Sequence, residues 1–332
     1  MNVFLDSRWI GENGIGRFAS VLRNNLDLRP LNIRGLPASP LEPIRLLHAM
    51  LFRTPAGACI LSPGFNVPLF VVRQYIFSIM DLNHIDRPEN SSFFKRMYYR
   101  WIMRPAARRA FRILTISEFS RRRIIDWAGV DAQRVVNVGC GVDSSYHVGV
   151  QPFRSGSPYL LCVSNRKAHK NESRVVEAFS QARINTDIRL IFTGTPDKAL
   201  LALCRKYAVE SRVVFAGKVP EVDMPGLYRG ALALVFPSLY EGFGLPVIEA
   251  MACGTPVLTS NTTSLPEVAG DAALLVDPLS VGKIAAGIHR LCSDDSLRES
   301  LIHKGLRQAS LFKWDEVVVR VKAVLDQSES SR

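Results

Sequence analysis

Strand and helix alternate regularly along the second half of the chain, and this alternation constrains the fold more than any other feature. Short apolar runs that end in Gly, Pro or polar residues predict strands, and segments with helical apolar spacing separate them. The predicted strands of this half lie at 159–163, 189–193, 213–216, 231–236 and 256–259. Such alternation is typical of a parallel sheet with helices on both faces, which binds ligands at the carboxyl ends of its strands. The chain is therefore predicted to be an α/β protein with a doubly wound sheet.

The length and composition predict two domains in a cytoplasmic protein. A Pro-, Gly- and Ser-rich stretch at 150–158 marks the linker, which gives an N-terminal domain at 1–150 and a C-terminal domain at 156–312. No run of about 18 uninterrupted apolar residues occurs, so we expect no transmembrane helix. The six cysteines are scattered without a C-x-x-C pair, which favours reduced thiols over disulfides or a zinc site.

The segment FPSLYEGFGLPVIE, residues 236–249, holds the most specific arrangement of side chains. An apolar strand runs into a loop with Glu241, Gly242 and Gly244, and the helix that follows, predicted to start at Pro246, carries Glu249. The glycines let a ligand approach the backbone closely, and the N–H groups of the helix start favour an anion. Taken alone, each carboxylate also fits a surface charge or a helix-dipole partner. Together they predict a ligand with both a phosphate and hydroxyl groups, such as a nucleotide sugar.

A basic loop, SNRKAHKN at 164–171, follows the first strand of the C-terminal domain. It brings Arg166 and Lys170 to the expected ligand edge of the sheet. Such cations neutralise the charge of a departing nucleoside diphosphate without proton transfer. Because the chain has no D-x-D sequence and no metal-like His/Cys spacing, we expect these cations to replace a metal ion.

The string EGFGLP, with its second Glu and the following EAMACGTPV, closely resembles the signature of retaining glycosyltransferases of family 4, which have the GT-B fold. The resemblance covers most of the chain. It implies two Rossmann-like domains that face each other across a cleft, and a last helix, 314–327, that packs back on the first domain. It also implies that the C-terminal domain binds the donor and that the acceptor enters from the N-terminal domain.

The resemblance implies roles for single residues of the C-terminal domain. Glu241, Arg166 and Lys170 are the expected catalytic residues, with the carboxylate facing the donor sugar and the two cations on the diphosphate. Glu249 is expected to bind the donor ribose. The other expected donor-binding residues are Asn165, Val219, Gly242, Phe243, Gly244 and Leu245. Of these, Val219 belongs to the turn that contacts the base in relatives.

Two N-terminal features correspond to the acceptor side. The first lies before a helix predicted at 18–26 and resembles the family's glycine loop near the diphosphate and the acceptor: Gly14, Ile15, Gly16 and Arg17. The second is a departure, because Met80 stands where relatives commonly carry a His in the acceptor cleft. A thioether cannot exchange a proton at neutral pH. Either the His is dispensable, Asp81 or His84 replaces it, or the activity is altered or lost.

The net charge of +12 is uneven, because residues 1–150 contribute +9 from 20 Lys/Arg and 11 Asp/Glu. Residues 87–123 include eleven basic and two acidic side chains, with aromatic residues among them, and 93–111 is predicted to form a basic amphipathic helix interrupted near Pro105. This segment is expected to rest on an anionic membrane surface, and a solvated helical face is the alternative. No nucleic-acid motif accompanies the charge, so no nucleic acid is expected as a partner.

The overall match is most similar to bacterial surface-polysaccharide mannosyltransferases. It implies transfer of a hexose, mannose from GDP-mannose in the first instance, to a glycan or a polyprenyl-diphosphate-linked oligosaccharide at the inner face of the plasma membrane. No cofactor and no metal are expected beside the nucleotide-sugar donor. Two alternatives stay open: a catalytically degenerate nucleotide-sugar-binding or scaffold protein of the same fold, and a nucleotide-sugar epimerase or phosphorylase.

Overall fold

The structure, a computed structural model, describes residues 2–11, 14–37 and 39–330. It divides into two compact units: unit 1 comprises Met1–Gly141 and Lys313–Arg332, and unit 2 comprises Val142–Phe312. Each unit is built on one parallel six-stranded sheet. The predicted α/β class with two doubly wound sheets is confirmed.

Unit 1 holds a sheet with the spatial order β2-β1-β3-β4-β5-β6. Its strands are Val3–Leu5 (β1), Arg29–Pro30 (β2), Cys59–Ser62 (β3), Gln74–Ser78 (β4), Arg112–Thr115 (β5) and Val135–Asn137 (β6). Its first helices are Gly14–Asn25 (α1), Glu42–Phe52 (α2), Asn83–Asp86 (α3), Phe93–Tyr98 (α4), Arg104–Arg109 (α5) and Glu118–Ala128 (α6). The central strands are buried on both faces, because helices cover both sides of a parallel sheet.

Helix α1 begins four residues before the predicted start, so the expected glycine loop at 14–17 is the first turn of a helix. Gly16 permits this, because a Cβ atom on it would lie 2.3 Å from the carbonyl oxygen of Gly11. The structure therefore corrects the predicted loop conformation. Glu12 and Asn13, also part of the predicted turn, lie outside the described residues.

The predicted basic helix at 93–111 forms as α4 and α5, joined by a wider helical turn at Tyr99–Met103. Pro105 follows this turn. Because proline lacks an N–H group and its ring crowds the carbonyl four residues earlier, the regular bonding pattern fails just before it. Tyr99 and Met103 are buried, whereas Trp101 is 61% exposed. The segment is thus amphipathic, as predicted.

Unit 2 holds a sheet with the spatial order β12-β11-β10-β7-β8-β9. Its strands are Tyr159–Cys162 (β7), Arg189–Phe192 (β8), Val213–Phe215 (β9), Ala233–Phe236 (β10), Val257–Ser260 (β11) and Leu274–Val276 (β12). Its helices are Glu172–Gln181 (α7), Lys198–Lys206 (α8), Met224–Arg229 (α9), Leu245–Ala252 (α10), Leu265–Ala269 (α11), Val281–Ser293 (α12) and Asp295–Ala309 (α13). The last helix, Trp314–Ser330 (α14), belongs to unit 1 and contributes to its core.

The boundary between the units lies after Gly141, earlier than the predicted end of the first domain at residue 150. The segment in between bonds to unit 2. The N–H of Val142 donates to the carbonyl of Phe312 at 3.1 Å, and that of Phe153 donates to the carbonyl of Gly226 at 2.9 Å. The Pro-, Gly- and Ser-rich stretch at 150–158 is thus part of unit 2.

Candidate functional site

Two loops of unit 2 meet at the carboxyl ends of the adjacent strands β7 and β10. The N–H of Leu239 donates to the carbonyl of His169 at 2.7 Å. The side-chain amide of Asn171 donates to the carbonyl of Pro237 at 2.9 Å, and Asn171 takes a left-handed backbone conformation with φ of 61°. These bonds fix the basic loop against the EGFG loop, so the two sequence motifs form one site.

Lys170 and Glu241 form an ion pair at the centre of this site. The Nζ atom of Lys170 lies 2.8 Å from Oε1 of Glu241, and the two side chains are 14% and 13% exposed. Nζ also lies 4.8 Å from the centroid of the Phe236 ring, a cation–π contact. The pair is thus held at the carboxyl edge of the sheet and remains accessible to a ligand.

The EGFG loop is clamped from the side by Ser264. Its hydroxyl lies within hydrogen-bond distance of the carbonyls of Glu241 (3.0 Å) and Phe243 (2.9 Å). Gly244 then opens helix α10 with φ of 105°, and a Cβ atom there would lie 2.6 Å from a methyl group of Leu265. Glycine is required for both the conformation and the space. The helix starts at Leu245, one residue earlier than predicted, and directs its positive dipole end to this edge.

Glu249 lies in α10 and is buried. The hydroxyl of Tyr228 donates to its Oε2 atom at 2.8 Å. Tyr228 is fully buried, and this burial together with the carboxylate raises its pKa well above the usual value. The phenol therefore remains protonated and holds the carboxylate in one orientation. The ribose contact of Glu249 stays a prediction.

Arg166 has a structural role that its motif does not indicate. Its guanidinium donates to the carbonyls of Thr193 (2.7 Å), Gly194 (3.0 Å) and Thr195 (2.8 Å), and it pairs with Glu172. It also lies over the rings of Phe192 and Phe215, at 5.5 and 5.4 Å. These contacts hold the loop after β8. The expected contact of Arg166 with the diphosphate stays a prediction.

The loop after β8 in turn holds the turn expected near the base. The N–H of Gly194 donates to the carbonyl of Gly217 at 2.6 Å, which forms an isolated bridge between the two loops. Val219 lines a cavity of about 890 Å³ beside this turn, together with Phe153 and Leu227. Within the described residues, neither Lys170 nor a site carboxylate lines that cavity. The structure does not place Val219 in one cavity with them.

Two buried hydroxyl groups at this edge have no hydrogen-bond partner in the described part of the chain. Ser164, in the loop after β7, and Ser238, after β10, each have an unpaired Oγ atom. Ser164 is 8% exposed and Ser238 is fully buried. Asn165 lies between Ser164 and Arg166 and is exposed.

In unit 1 the expected acceptor residues lie at two places. Gly14, Ile15, Gly16 and Arg17 form the start of α1. The carboxylate of Asp81 accepts from the N–H of Asn83, the first residue of α3, at 2.9 Å. The Nε2 atom of His84 lies 2.6 Å from Nζ of Lys95. Met80 is half-buried against the apolar core of unit 1.

Comparison with known proteins gives this arrangement a family. The family description "Glycosyl transferases group 1" matches residues 147–308, and "Glycosyl transferase 4-like domain" matches residues 16–141. The O-antigen chain mannosyltransferase B of Escherichia coli is 34% identical over 293 residues, which is 83% of this chain and 77% of that protein. The chain is a group 1 glycosyltransferase.

Two further comparisons extend this result. The serotype-specific mannosyltransferase WbdA of Escherichia coli is 29% identical over 62% of this glycosyltransferase, which spans only 27% of that longer protein. The structure of HepE from Anabaena with UDP and glucose superposes with a TM-score of 0.76 at 18% identity, and covers 98% of this chain and 99% of that one. The likeness confirms the predicted GT-B fold.

The described ranges of the glycosyltransferase hold no group of three or more His, Cys, Asp or Glu side chains that could bind a metal ion. In the same ranges, no helix is both long and apolar enough to cross a membrane.

Three residues of the site were not predicted from the sequence: Tyr228, Glu172 and Ser264. Each acts on a motif residue from a distant or unremarkable position, as Tyr228 does on Glu249 from 21 residues away. Only Glu172 had a local signal, because a carboxylate six residues after Arg166 lies in the first turn of α7.

Proposed function

We propose that this glycosyltransferase moves mannose, with retention of configuration, from GDP-mannose to a lipid-linked oligosaccharide during synthesis of a surface polysaccharide. One observation carries the donor half of the proposal. The Lys170–Glu241 pair, the start of α10 and the unpaired hydroxyl of Ser164 all lie at the carboxyl edge of the sheet in unit 2. Cation, anion-binding helix end and hydroxyl group match the phosphates and hydroxyls of a nucleotide sugar.

The choice of sugar and pathway is supported by the relatives. The two most similar of those named above are mannosyltransferases, and one acts on an O-antigen chain. For the base, we propose guanine on the same ground. The donor in the HepE structure is related to UDP, so the base is the part of the proposal that a direct test must decide first.

In the proposed reaction, the bond between the anomeric carbon and the diphosphate oxygen breaks while an acceptor oxygen bonds to the same face of that carbon. The acceptor proton passes to the leaving phosphate oxygen, and the ammonium group of Lys170 neutralises the charge that grows there. The diphosphate of the bound donor takes the place of Glu241 as the partner of Lys170. Glu241 then accepts hydrogen bonds from the sugar hydroxyls. The fixed ammonium supplies the positive charge, so we propose that no metal ion is needed.

The acceptor half of the proposal depends on unit 1. Along residues 93–109 the exposed side chains are large and apolar or cationic, with Phe93 64% and Phe94 83% exposed. From residue 90 to residue 117 there are seven Lys/Arg residues and no Asp or Glu. A basic helix with exposed aromatic residues attaches to anionic lipid. We propose that this face rests on the cytoplasmic surface of the membrane that holds the acceptor.

The first experiment is thermal stabilisation by GDP, UDP, ADP, CDP and dTDP, each with EDTA and with magnesium. We expect GDP alone to raise the melting temperature by several degrees, equally in EDTA, because Lys170 replaces the metal. Stabilisation by another nucleotide would change the donor, and a requirement for magnesium would contradict metal independence.

The second experiment follows transfer from GDP-mannose to an acceptor glycan and assigns the product anomer by NMR. We expect the α configuration of the donor to be kept in the product. A β-linked product would contradict the retaining mechanism, and the absence of transfer with every nucleotide sugar would contradict the proposed donor site.

A further inference from the structure

A second concave site lies in unit 1, separate from the donor residues. It is a pocket of about 720 Å³ between helix α4 with the helical turn that follows it and the loops that follow β2 and β3. Loops after parallel strands lie at the carboxyl edge of the sheet, where ligands of such sheets bind. The volume is in the range of small-molecule sites. Nothing in the donor half of the proposed function uses this pocket.

The walls of the pocket are mainly apolar. Its apolar and aromatic lining consists of Phe65, Phe94, Met97, Tyr98, Trp101 and Ile102. Two buried polar residues also line it, and both are already bonded. Glu42 accepts from Arg8, and the amide of Asn66 donates to the carbonyl of Pro37 at 2.6 Å. The interior therefore favours a hydrocarbon group over a sugar.

A cation lies at the partly exposed side of the pocket. Lys95 lines it, and its Nζ atom lies 2.6 Å from Nε2 of His84 and 5.7 Å from the centroid of the Phe65 ring. His84 thus contacts the cation and orients it. The pocket is complementary to an apolar chain joined to an anionic head.

We propose that this pocket binds the first isoprene units of a polyprenyl-diphosphate-linked acceptor, with Lys95 on the diphosphate. The inference rests on the proposed function, since it names the lipid part of the acceptor in that reaction. His84, expected from the sequence as an acceptor-site residue, then acts as a positioning residue through Lys95. The pocket shares Phe94 with the membrane-facing surface and continues inward to the buried Glu42 and Asn66, whereas Phe93 is exposed and does not line it.

Direct binding tests the pocket without any transfer. Calorimetry on the full chain would use geranylgeranyl diphosphate, inorganic diphosphate and geranylgeraniol, with the stabilising nucleoside diphosphate in excess to occupy the donor site. We expect geranylgeranyl diphosphate to bind at least about tenfold more tightly than either part alone. Equal affinity for inorganic diphosphate would show a phosphate site only and would overturn the proposal, as would no binding of any probe.

Two pairs of variants locate the ligand. Met97→Trp fills the pocket, and Phe93→Ala removes an exposed ring outside it. Lys95→Met removes the pocket cation, and Arg96→Met removes the exposed cation beside it. We expect Met97→Trp and Lys95→Met each to weaken geranylgeranyl diphosphate binding about tenfold or more, and both controls to leave it unchanged. Equal losses in each pair would assign binding to the general surface and overturn the proposal.

Kinetics separate this inference from the proposed function. With the lipid-linked acceptor in detergent, Met97→Trp is expected to raise the acceptor KM and to leave the donor KM unchanged. With the same glycan on a methyl group, wild type and Met97→Trp should be equally active. If the wild type uses both acceptors with one KM, the pocket inference fails and the transferase function stands. If it uses neither, the proposed function fails, and the calorimetry still decides the pocket.

Discussion

The carboxyl edges of the two sheets differ in how their charged groups are held. In unit 2 four charged motif residues have fixed partners, in the pairs Lys170–Glu241, Arg166–Glu172 and Glu249–Tyr228. In unit 1 the cations of the 93–109 segment share an exposed surface with large apolar side chains. Groups ordered in advance cost little entropy on binding and suit a ligand of fixed shape. An exposed apolar and basic surface suits an amphiphile with a flexible chain, so this difference agrees with the two kinds of substrate that we propose.

Removal of the Lys170 ammonium should have the largest effect on the ordered edge. We expect Lys170→Met to lower kcat by between about a hundredfold and a thousandfold, because charge on the leaving diphosphate loses its neutralising partner. Steady-state kinetics with the donor at saturation measure this. Lys206→Met is the matched control, since Lys206 is exposed at the end of α8, away from the carboxyl edge of the sheet. Equal rates for the two variants would remove Lys170 from the mechanism.

Substitution of Arg166 tests whether this residue stabilises the loops at this edge or acts directly in the reaction. Arg166→Met loses four hydrogen bonds, and we expect it to lower the free energy of unfolding by about 3 kcal/mol and to weaken nucleotide binding. Denaturant unfolding and nucleotide titration measure both.

Arg212→Met is the control for Arg166→Met. The guanidinium of Arg212 also donates to backbone carbonyls of unit 2, those of Asn185 and Ile188, but these precede β8. We expect a similar loss of stability with unchanged nucleotide affinity. A stable Arg166→Met protein with a large loss of kcat would instead place the guanidinium on the diphosphate.

The Tyr228 hydroxyl should have a smaller effect, confined to the donor. Tyr228→Phe leaves one oxygen of Glu249 without this donor, and we expect the donor KM to rise about tenfold with kcat nearly unchanged. Tyr159→Phe is the control, because the buried hydroxyl of Tyr159 donates to the carbonyl of Leu227 at 2.7 Å and not to a carboxylate. A fall in kcat with constant KM would assign Glu249 to the chemical step.

Met80 should have the smallest effect. It is half-buried against apolar residues of unit 1, so Met80→His is expected to cost about 1 kcal/mol of stability and to change kcat by less than about threefold. Met80→Leu, which keeps the volume, should match the wild type in both. A rise in kcat of tenfold or more in Met80→His would show that this position limits proton transfer and that the two edges share the chemistry.

Much of the ordered edge was predictable because its residues follow strand ends. Lys170 and Glu241 each follow an apolar strand, and adjacency of β7 and β10 brings them together. The contacts of Arg166 were not predictable, because they involve carbonyls 27 to 29 residues away whose positions depend on the loop after β8. Tyr228 likewise reaches Glu249 only through the packing of α9 beside α10.

In unit 1 the sequence indicated the sheet and the basic segment but missed α2 and misplaced the start of α1. Helix α2 has Pro43 near its start and buries Leu46, Ala49 and Met50, a helical spacing that was present but not used. The start of α1 depends on the close approach of Gly16 to Gly11, which no local pattern reports. The pocket could not be predicted, because its lining comes from three separate segments.

The bridge between Gly194 and Gly217 joins two loops through main-chain atoms alone. The side chains that follow, Lys218, Val219 and Pro220, take no part in that bond. Substitution of these three side chains therefore leaves the main-chain bond between the two loops intact. If this turn contacts the base, as the sequence predicts, exchange of these three residues is expected to change the nucleotide preference, and the turn is the first segment to randomise in a search for altered donor use.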